Sequence, residues 1–237
     1  MEQRKFYQNV RELILENLKS GALRPGDRLP SERGLCAATG MNRNTVRHAL
    51  LVLQRQGRIF RLDRRGWFVN PVRLVYNPAR HVNFAKLAAS QGRTPEWTTE
   101  DKGVAVVDEQ SGAAPPDGFA LGTSVYEMEN VFFLDGQKVA CVENYLHAGR
   151  LSGIIPKIRK RAMTQVIEEE YGVALIQRDL LIRPQFLSDR ACFQLDVPKG
   201  SPGMYIRRIK TDGAGDVLTV EREYWRFDAM ELRVSLE

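Results

Sequence analysis

The stretch "MNRNTVRHALLVLQRQG", residues 41–57, reads as a short helix with two unlike faces. Val46, Ala49, Leu50 and Leu53 recur at helical spacing and make an apolar stripe. Asn42, Arg43, Asn44, Thr45, Arg47 and His48 crowd its start with long donors and acceptors. Asn42 suits the N-cap, and Gly57 suits the stop. A core needs only the stripe, so the donors need a partner elsewhere.

Working outward, Phe6, Val10, Leu13, Ile14 and Leu18 form a first helical stripe that Gly21 closes. Pro25-Gly26-Asp27 and Pro30 supply turn chemistry. Ser31 caps a second short helix, with Leu35 and Ala38 inward and Gly40 at its end. After the third helix, Ile59, Phe60 and Leu62, then Trp67, Phe68 and Val69, flank Asp63-Arg64-Arg65-Gly66 as a β-hairpin. Three helices and a hairpin make a winged helix-turn-helix. Such a fold presents the start of its third helix to the DNA major groove. There Arg can bridge guanine acceptors and Asn can bridge adenine, while Thr can meet a thymine methyl or a phosphate. The hairpin tip, with Arg61, Arg64 and Arg65, is placed to reach phosphates or a minor groove. Asn42 and His48 have equally good local readings, as a helix cap and an exposed spectator.

"PGDRLPSERGLCAATGMNRNTVRHALLVLQRQGRI" resembles the N-terminal domain of GntR-type bacterial transcription regulators. The likeness spans about residues 5–70. It implies that Arg33, Arg43 and Arg47 contact DNA, helped by Asn42, Asn44 and Thr45, with Gly66 at the wing tip beside Arg65. One departure stands out. The family's usual Glu three residues after the cap serine is Gly34 here, so the reciprocal capping box is lost.

Charge supports the same division of labour. Residues 1–70 hold 14 Lys or Arg against 6 Asp or Glu, while the rest hold 21 against 23. The positive excess therefore sits in one module, as polyanion binding requires. With 237 residues, 43% of them hydrophobic, the chain can build two cores. Cys36, Cys141 and Cys192 show no paired spacing, which excludes a disulfide framework and a zinc knuckle. The N-terminus is charged throughout, and no apolar run reaches membrane-spanning length, so a cytoplasmic protein with no membrane partner is expected. His48, His81 and His147 lack metal-ligand spacing, no nucleophile motif is visible, and "PKIRKRAM" reads as a solvated face; no cofactor is expected.

Residues 71–82 read as a linker, with Asn and Pro punctuating a stretch of little periodicity. Beyond it, "VNFAKLAASQG", "AMTQVIEEEYG" and "DRACFQLDV" read as helices. Residues 102–108, 124–134 and 137–147 read as strands, with Asp135-Gly136 as a two-residue hairpin turn. "ALIQRDLLIRPQFL" is a further strand, and "GMYIRRIKTDGAGDVLTVEREYWRF" a second long hairpin. The fold class is therefore α+β with a mainly antiparallel sheet.

This layout, from "ENYL" to the final E-x-x-Y, resembles the UTRA effector domain of the HutC subfamily, similar in fold to chorismate lyase. The resemblance covers about residues 78–232 and implies a small-metabolite pocket, in an effector-binding and dimerisation domain expected over residues 83–237. Alternation sets Val139, Cys141, Glu143 and Tyr145 on one strand face, and Thr219, Glu221, Glu223 and Trp225 on another. A carboxylate in an apolar row needs a partner. For Glu143 and Glu221 that partner is either a ligand or a structural arginine such as Arg183 or Arg222. Candidate effector residues are Asn83, Asn130, Glu143, Tyr145, Arg183, Glu221 and Tyr224. Where sugar-phosphate binders of the family carry two arginines, this chain has Asn130 and Phe132; Arg80, Arg183 or Arg190 could hold an anion instead. "YNPARHVNFAKLAASQG" resembles regulators of 2-aminoethylphosphonate operons, which implies a phosphonate or phosphorylated effector. The partners expected are double-stranded operator DNA, an effector and a second copy of the chain as a homodimer. A chorismate-lyase-like enzyme domain fused to a DNA-binding head is the alternative.

Overall fold

The computed structural model describes residues 2–62, 65–70, 72–78, 83–108, 118–159 and 161–234. The chain divides into two compact units, residues 1–73 and 74–237.

The first unit runs α1 (Glu2–Lys19), α2 (Glu32–Thr39), α3 (Arg43–Arg55), β1 (Ile59–Leu62) and β2 (Gly66–Val69). The apolar stripe of α3 is fully buried and packs with Val10 and Ile14 of α1, Leu35 of α2, and Ile59 and Trp67 of the hairpin. Each helix stops for a local reason. Gly40 ends α2 in the left-handed region (φ 69°), where a side chain would be strained. Asn42 begins α3 by accepting from the Thr45 amide at 2.9 Å. The Pro-Gly-Asp turn lies along β2: Gly26 and Leu29 donate to Val69 and Trp67, and Val69 donates back to Asp27. Ala38 departs from expectation, since it is exposed. In so short a helix, Leu35 alone is buried, while partly buried Thr39 turns its hydroxyl onto the Leu35 carbonyl at 2.7 Å. The expected inward Phe6 side chain and the tip residues Asp63 and Arg64 lie outside the described residues.

The second unit holds β3 (Leu74–Tyr76), α4 (Phe84–Ser90), β4 (Pro95–Val106), β5 (Ser124–Leu134), β6 (Gln137–His147), α5 (Met163–Tyr171), β7 (Ile176–Phe186), α6 (Asp189–Leu195), β8 (Pro202–Thr211), β9 (Val217–Arg226) and β10 (Met230–Leu232). Six of these strands form an antiparallel sheet in the order β4-β5-β6-β9-β8-β7. The β5–β6 turn takes the primed form that Asp-Gly favours, with φ of 51° at Asp135 and 75° at Gly136.

One face of the sheet is covered by α4 and by the pair β3–β10, through Leu74, Tyr76, Trp225 and Met230. The segment 151–158 and α5 continue that cover through Leu151, Ile154 and Ile167. The opposite face packs under α6 through Cys141, Cys192 and Leu195. Two departures from the sequence reading concern edges. The segment expected as a linker contains β3, whose Leu74 and Tyr76 are buried and whose partner β10 lies at the far end of the chain. Strand β4 begins at Pro95 rather than at 102, because as an edge strand it alternates over mostly polar, half-exposed residues and gives no apolar signal.

Candidate functional site

In the first unit the polar face of α3 is organised by one carboxylate. Glu32, at the start of α2, accepts from Arg43 Nε at 3.1 Å and lies 3.5 Å from Arg47 Nε. Burial pushes this carboxyl up, but hydrogen bonds from Arg43 and Trp67 and the charge of Arg47 outweigh it and hold it below the usual range. The two arginines remain open, at 73% and 50% exposure. Both therefore stand on the surface in fixed directions. Arg33 and Asn44 are exposed alongside, whereas Asn42 and Thr45 bond to one another at the helix start. Arg65 is exposed with its guanidinium 5.8 Å from the Phe68 ring. Gly66 opens β2 at φ 104°, a conformation that requires glycine.

The second unit holds a cavity of about 140 Å³ between the sheet and its cover of β3, α4, β10 and the start of α5. Its floor is charged. Arg208 and Lys210 alternate on β8, and Glu221 and Glu223 alternate on the neighbouring β9, all toward the same face. Arg208 bonds Glu223, and Lys210 Nζ lies 2.5 Å from Glu221 Oε1. Their side chains are only 9, 8, 4 and 11% exposed for Arg208, Glu223, Lys210 and Glu221. Further bonds tie the floor to the walls. Arg208 donates to Tyr76 Oη at 2.6 Å and to Gln177 Oε1 at 3.0 Å, and Trp225 Nε1 donates to Glu223 Oε2 at 2.6 Å. Burial pushes the Tyr76 phenol up, against the opposing charge of Arg208, so it stays a neutral hydroxyl. An amide chain lines another side: Asn144 donates to Asn130 at 2.7 Å, and Asn130 donates to Thr99 Oγ1 at 2.7 Å. Asn83 borders the cavity while capping α4. Trp97, Phe132 and Trp225 give aromatic surface.

The cavity thus gathers Asn83, Asn130 and Glu221 from the expected effector residues. It does not gather Glu143, Tyr145, Arg183 or Tyr224. Register explains the split: Asn144 stands opposite Glu221, and Glu143 opposite Arg222, so Glu143 and Glu221 face opposite sides of one sheet. On that other side Arg222 lies over the Tyr145 ring at 5.4 Å and Arg183 over the Tyr205 ring at 4.8 Å, with Tyr224 beside Tyr205. Burial raises the Glu143 carboxyl, with Arg222 and Arg190 opposing. Arg190 bonds Glu129, and Arg80 lies outside the described residues. The sequence reading overlooked Arg208, Lys210, Asn144 and Tyr76, and it placed Glu223 on the face of Glu221 without naming it an effector candidate. Complementary charges at alternate positions of "RRIKT" and "VEREY" were the available signal.

No helix among the described residues is long and apolar enough to cross a membrane. The chain matches the family "Bacterial regulatory proteins, gntR family" over residues 6–69 and the UTRA domain over residues 91–231. It is 32% identical to the HTH-type transcriptional regulator YihL of Escherichia coli K12 over 235 residues, covering 99% of both chains. It is 23% identical to the HTH-type transcriptional repressor NagR of Bacillus subtilis, covering 86% of this chain and 83% of that one. Among solved structures, PhnF from Mycobacterium smegmatis superposes with a TM-score of 0.65 at 23% identity, over 96% of this chain and 99% of that one. None of the three is named as an enzyme, and the lyase alternative gains no support. The chain belongs to the gntR family of bacterial regulatory proteins and carries a UTRA domain as its C-terminal part.

Proposed function

We propose that this protein is a cytoplasmic repressor that binds a pseudo-palindromic operator as a homodimer and responds to a small molecule held in the second unit. The observation that carries the reading is the pairing, in one chain, of an arginine-bearing helix face with a separate cavity floored by polar groups. Arg33, Arg43, Asn44 and Arg47 supply base-edge and phosphate contacts from the helices. Asn42 and Thr45 set the start of α3 and offer its free amides to a phosphate. Arg65, turned at Gly66, reaches the backbone beyond the major groove. Two-fold symmetry would match half-sites about one helical turn apart. The effector occupies the cavity against Asn83, Asn130 and Glu221, together with Asn144, Lys210 and Arg208. A differential affinity of about 1–3 kcal/mol between two arrangements of the heads is enough for control.

Fluorescence anisotropy on DNA from upstream of the gene tests the head. The wild type is expected to bind that fragment more tightly than a scrambled one, and Arg47→Ala is expected to lose the preference while folding normally. Equal affinity of wild type for both fragments would defeat the reading for that site.

A further inference from the structure

Four buried charges form the cavity floor, and they cancel. Arg208 is matched to Glu223 and Lys210 to Glu221, each pair reaching diagonally between adjacent strands. The charge at the mouth is offset too: Arg161 is bonded by both Glu169 and Glu170. Such a site has no net charge to offer a ligand.

That balance sorts ligand classes. A phosphate or phosphonate dianion on the floor would have to draw Arg208 or Lys210 away, leaving a buried carboxylate uncompensated beside a second negative charge. An amine would meet the same problem with the opposite sign. A purely apolar ligand would strip water from both ion pairs and from the Asn130–Asn144 chain without replacing a hydrogen bond. A hydroxyl avoids all three costs. It donates to a carboxylate or to the Asn144 carbonyl oxygen while accepting from the Lys210 ammonium, so it can bridge Lys210 to Glu221 or to Asn144 without changing the charge, the hydrogens of the Asn130 and Asn144 amides being already used within the protein. Two ion pairs stand side by side on β8 and β9, as adjacent hydroxyls on one ring would require. Trp97, Phe132 and Trp225 add aromatic surface for the C–H faces of that ring. The first turn of α5 also borders the cavity, and Ala162 gives it no side-chain cap. Free amides at a helix start favour an anion, so the preference for a neutral ring rests on the balanced floor and not on this helix.

We propose that the effector is an uncharged, polyhydroxylated ring of the monosaccharide or cyclitol class. The proposal rests on the cavity being the effector site and replaces the phosphonate or phosphorylated metabolite expected from the sequence.

Thermal unfolding of the full chain tests it against D-glucose, D-galactose, D-mannose, D-arabinose and myo-inositol, each at millimolar concentration. The same panel contains the hexose 6-phosphates, arabinose 5-phosphate and 2-aminoethylphosphonate. At least one neutral compound is expected to raise Tm in proportion to the logarithm of its concentration, as binding to the native state alone requires. Its phosphate ester is expected to bind at least tenfold more weakly by calorimetry. Asn130→Ala, unfolding cooperatively on its own, is expected to lose the Tm shift. Should Asn130→Ala not fold, Asn144→Ala serves the same comparison. The proposal is overturned if a phosphorylated or phosphonate compound binds more tightly than its neutral counterparts, or if no neutral compound shifts Tm. Operator affinity measured on the same samples keeps the two readings apart. A neutral ligand that shifts Tm while DNA binding is absent upholds the ligand class and sinks the regulator reading.

Discussion

The guanidinium of Arg208 donates to the phenol of Tyr76 at 2.6 Å, across a sequence separation of 132 residues. The bond ties the sheet to the strand with which the second unit begins, and the same guanidinium holds Glu223 and Gln177. Tyr76→Phe keeps the buried ring and deletes only the acceptor. The expected loss is about 1.5–3 kcal/mol, the range for a bond to a charged donor. Urea denaturation should show a lower midpoint with an unchanged slope. An unchanged midpoint would mean that the bond contributes nothing in solution.

Glu32 clamps Arg43 and Arg47 from a neighbouring helix. Because both arginines are exposed, Glu32→Ala should change stability by no more than about 1 kcal/mol. Its effect should fall on recognition. Removing a negative charge strengthens binding to any DNA, while freeing the arginines lowers the preference for operator over scrambled sequence. Titration of the two fragments by anisotropy measures that ratio, and a constant ratio would show that the clamp orients nothing. The Glu32 pKa is depressed below 4.5, so the clamp is complete above that value and weakens only as pH falls through the lower, folded one. Operator preference should therefore be flat around neutrality.

Glu143 titrates in the other direction. Its folded pKa is raised above 4.5, so between those two values the native state binds more protons than the unfolded chain. This group's contribution to stability declines as pH rises through that window. Glu143→Gln removes the decline, so the variant's Tm relative to wild type should be higher at pH 7 than at pH 4. A difference that does not change with pH would mean that folding does not raise the Glu143 carboxyl. The variant should also keep any ligand response, since Glu143 faces away from the cavity.

Gly34 occupies the third position of α2, and its amide donates to Ser31 Oγ at 3.1 Å. A Cβ there would meet Ser31 Oγ at 3.4 Å and Pro30 Cβ at 3.6 Å, which is ordinary contact. Gly34→Ala should stabilise the first unit by about 0.5–1 kcal/mol through the lost freedom of the unfolded chain. Circular dichroism of thermal unfolding checks the gain; a lower Tm would mean that the helix start needs the glycine.

Gly203 is the opposite case. An added Cβ would overlap the Leu187 side chain and sit 2.7 Å from the Trp225 carbonyl oxygen. Backbone cannot yield cheaply, so Gly203→Ala should cost about 1–3 kcal/mol by denaturation. A neutral substitution would show that β8 can shift away from β9 without loss.

The sequence disclosed most where pattern and chemistry agreed. Val46, Ala49, Leu50 and Leu53 could only be one buried stripe, and Asp135-Gly136 could only turn tightly. Alternation also sorted Glu143 from its strand neighbours and grouped Glu221 with Glu223. It could not say which face of the sheet would be roofed by β3 and α4, because that depends on partners far along the chain. Glu143 and Glu221 were therefore named together as effector candidates, although the two face opposite sides of the sheet. Arg208 and Lys210 escaped notice for a related reason: a basic residue in a strand reads as solvent-facing until its carboxylate across the ladder is known. Strand β3 was illegible because three residues carry no period, and β10, which pairs with it, is equally short.

That last pairing has a consequence for how the protein is made. Leu74 pairs with Met230 and Tyr76 with Leu232, so the opening strand of the second unit finds its partner only in the closing one. Chains leave the ribosome N-terminus first, and domains fold as they emerge. Every element of the head is present by residue 73, yet the cavity wall stays incomplete until the last strand is released. A nascent chain therefore completes its gntR-type head long before the cavity of its second unit has a closed wall.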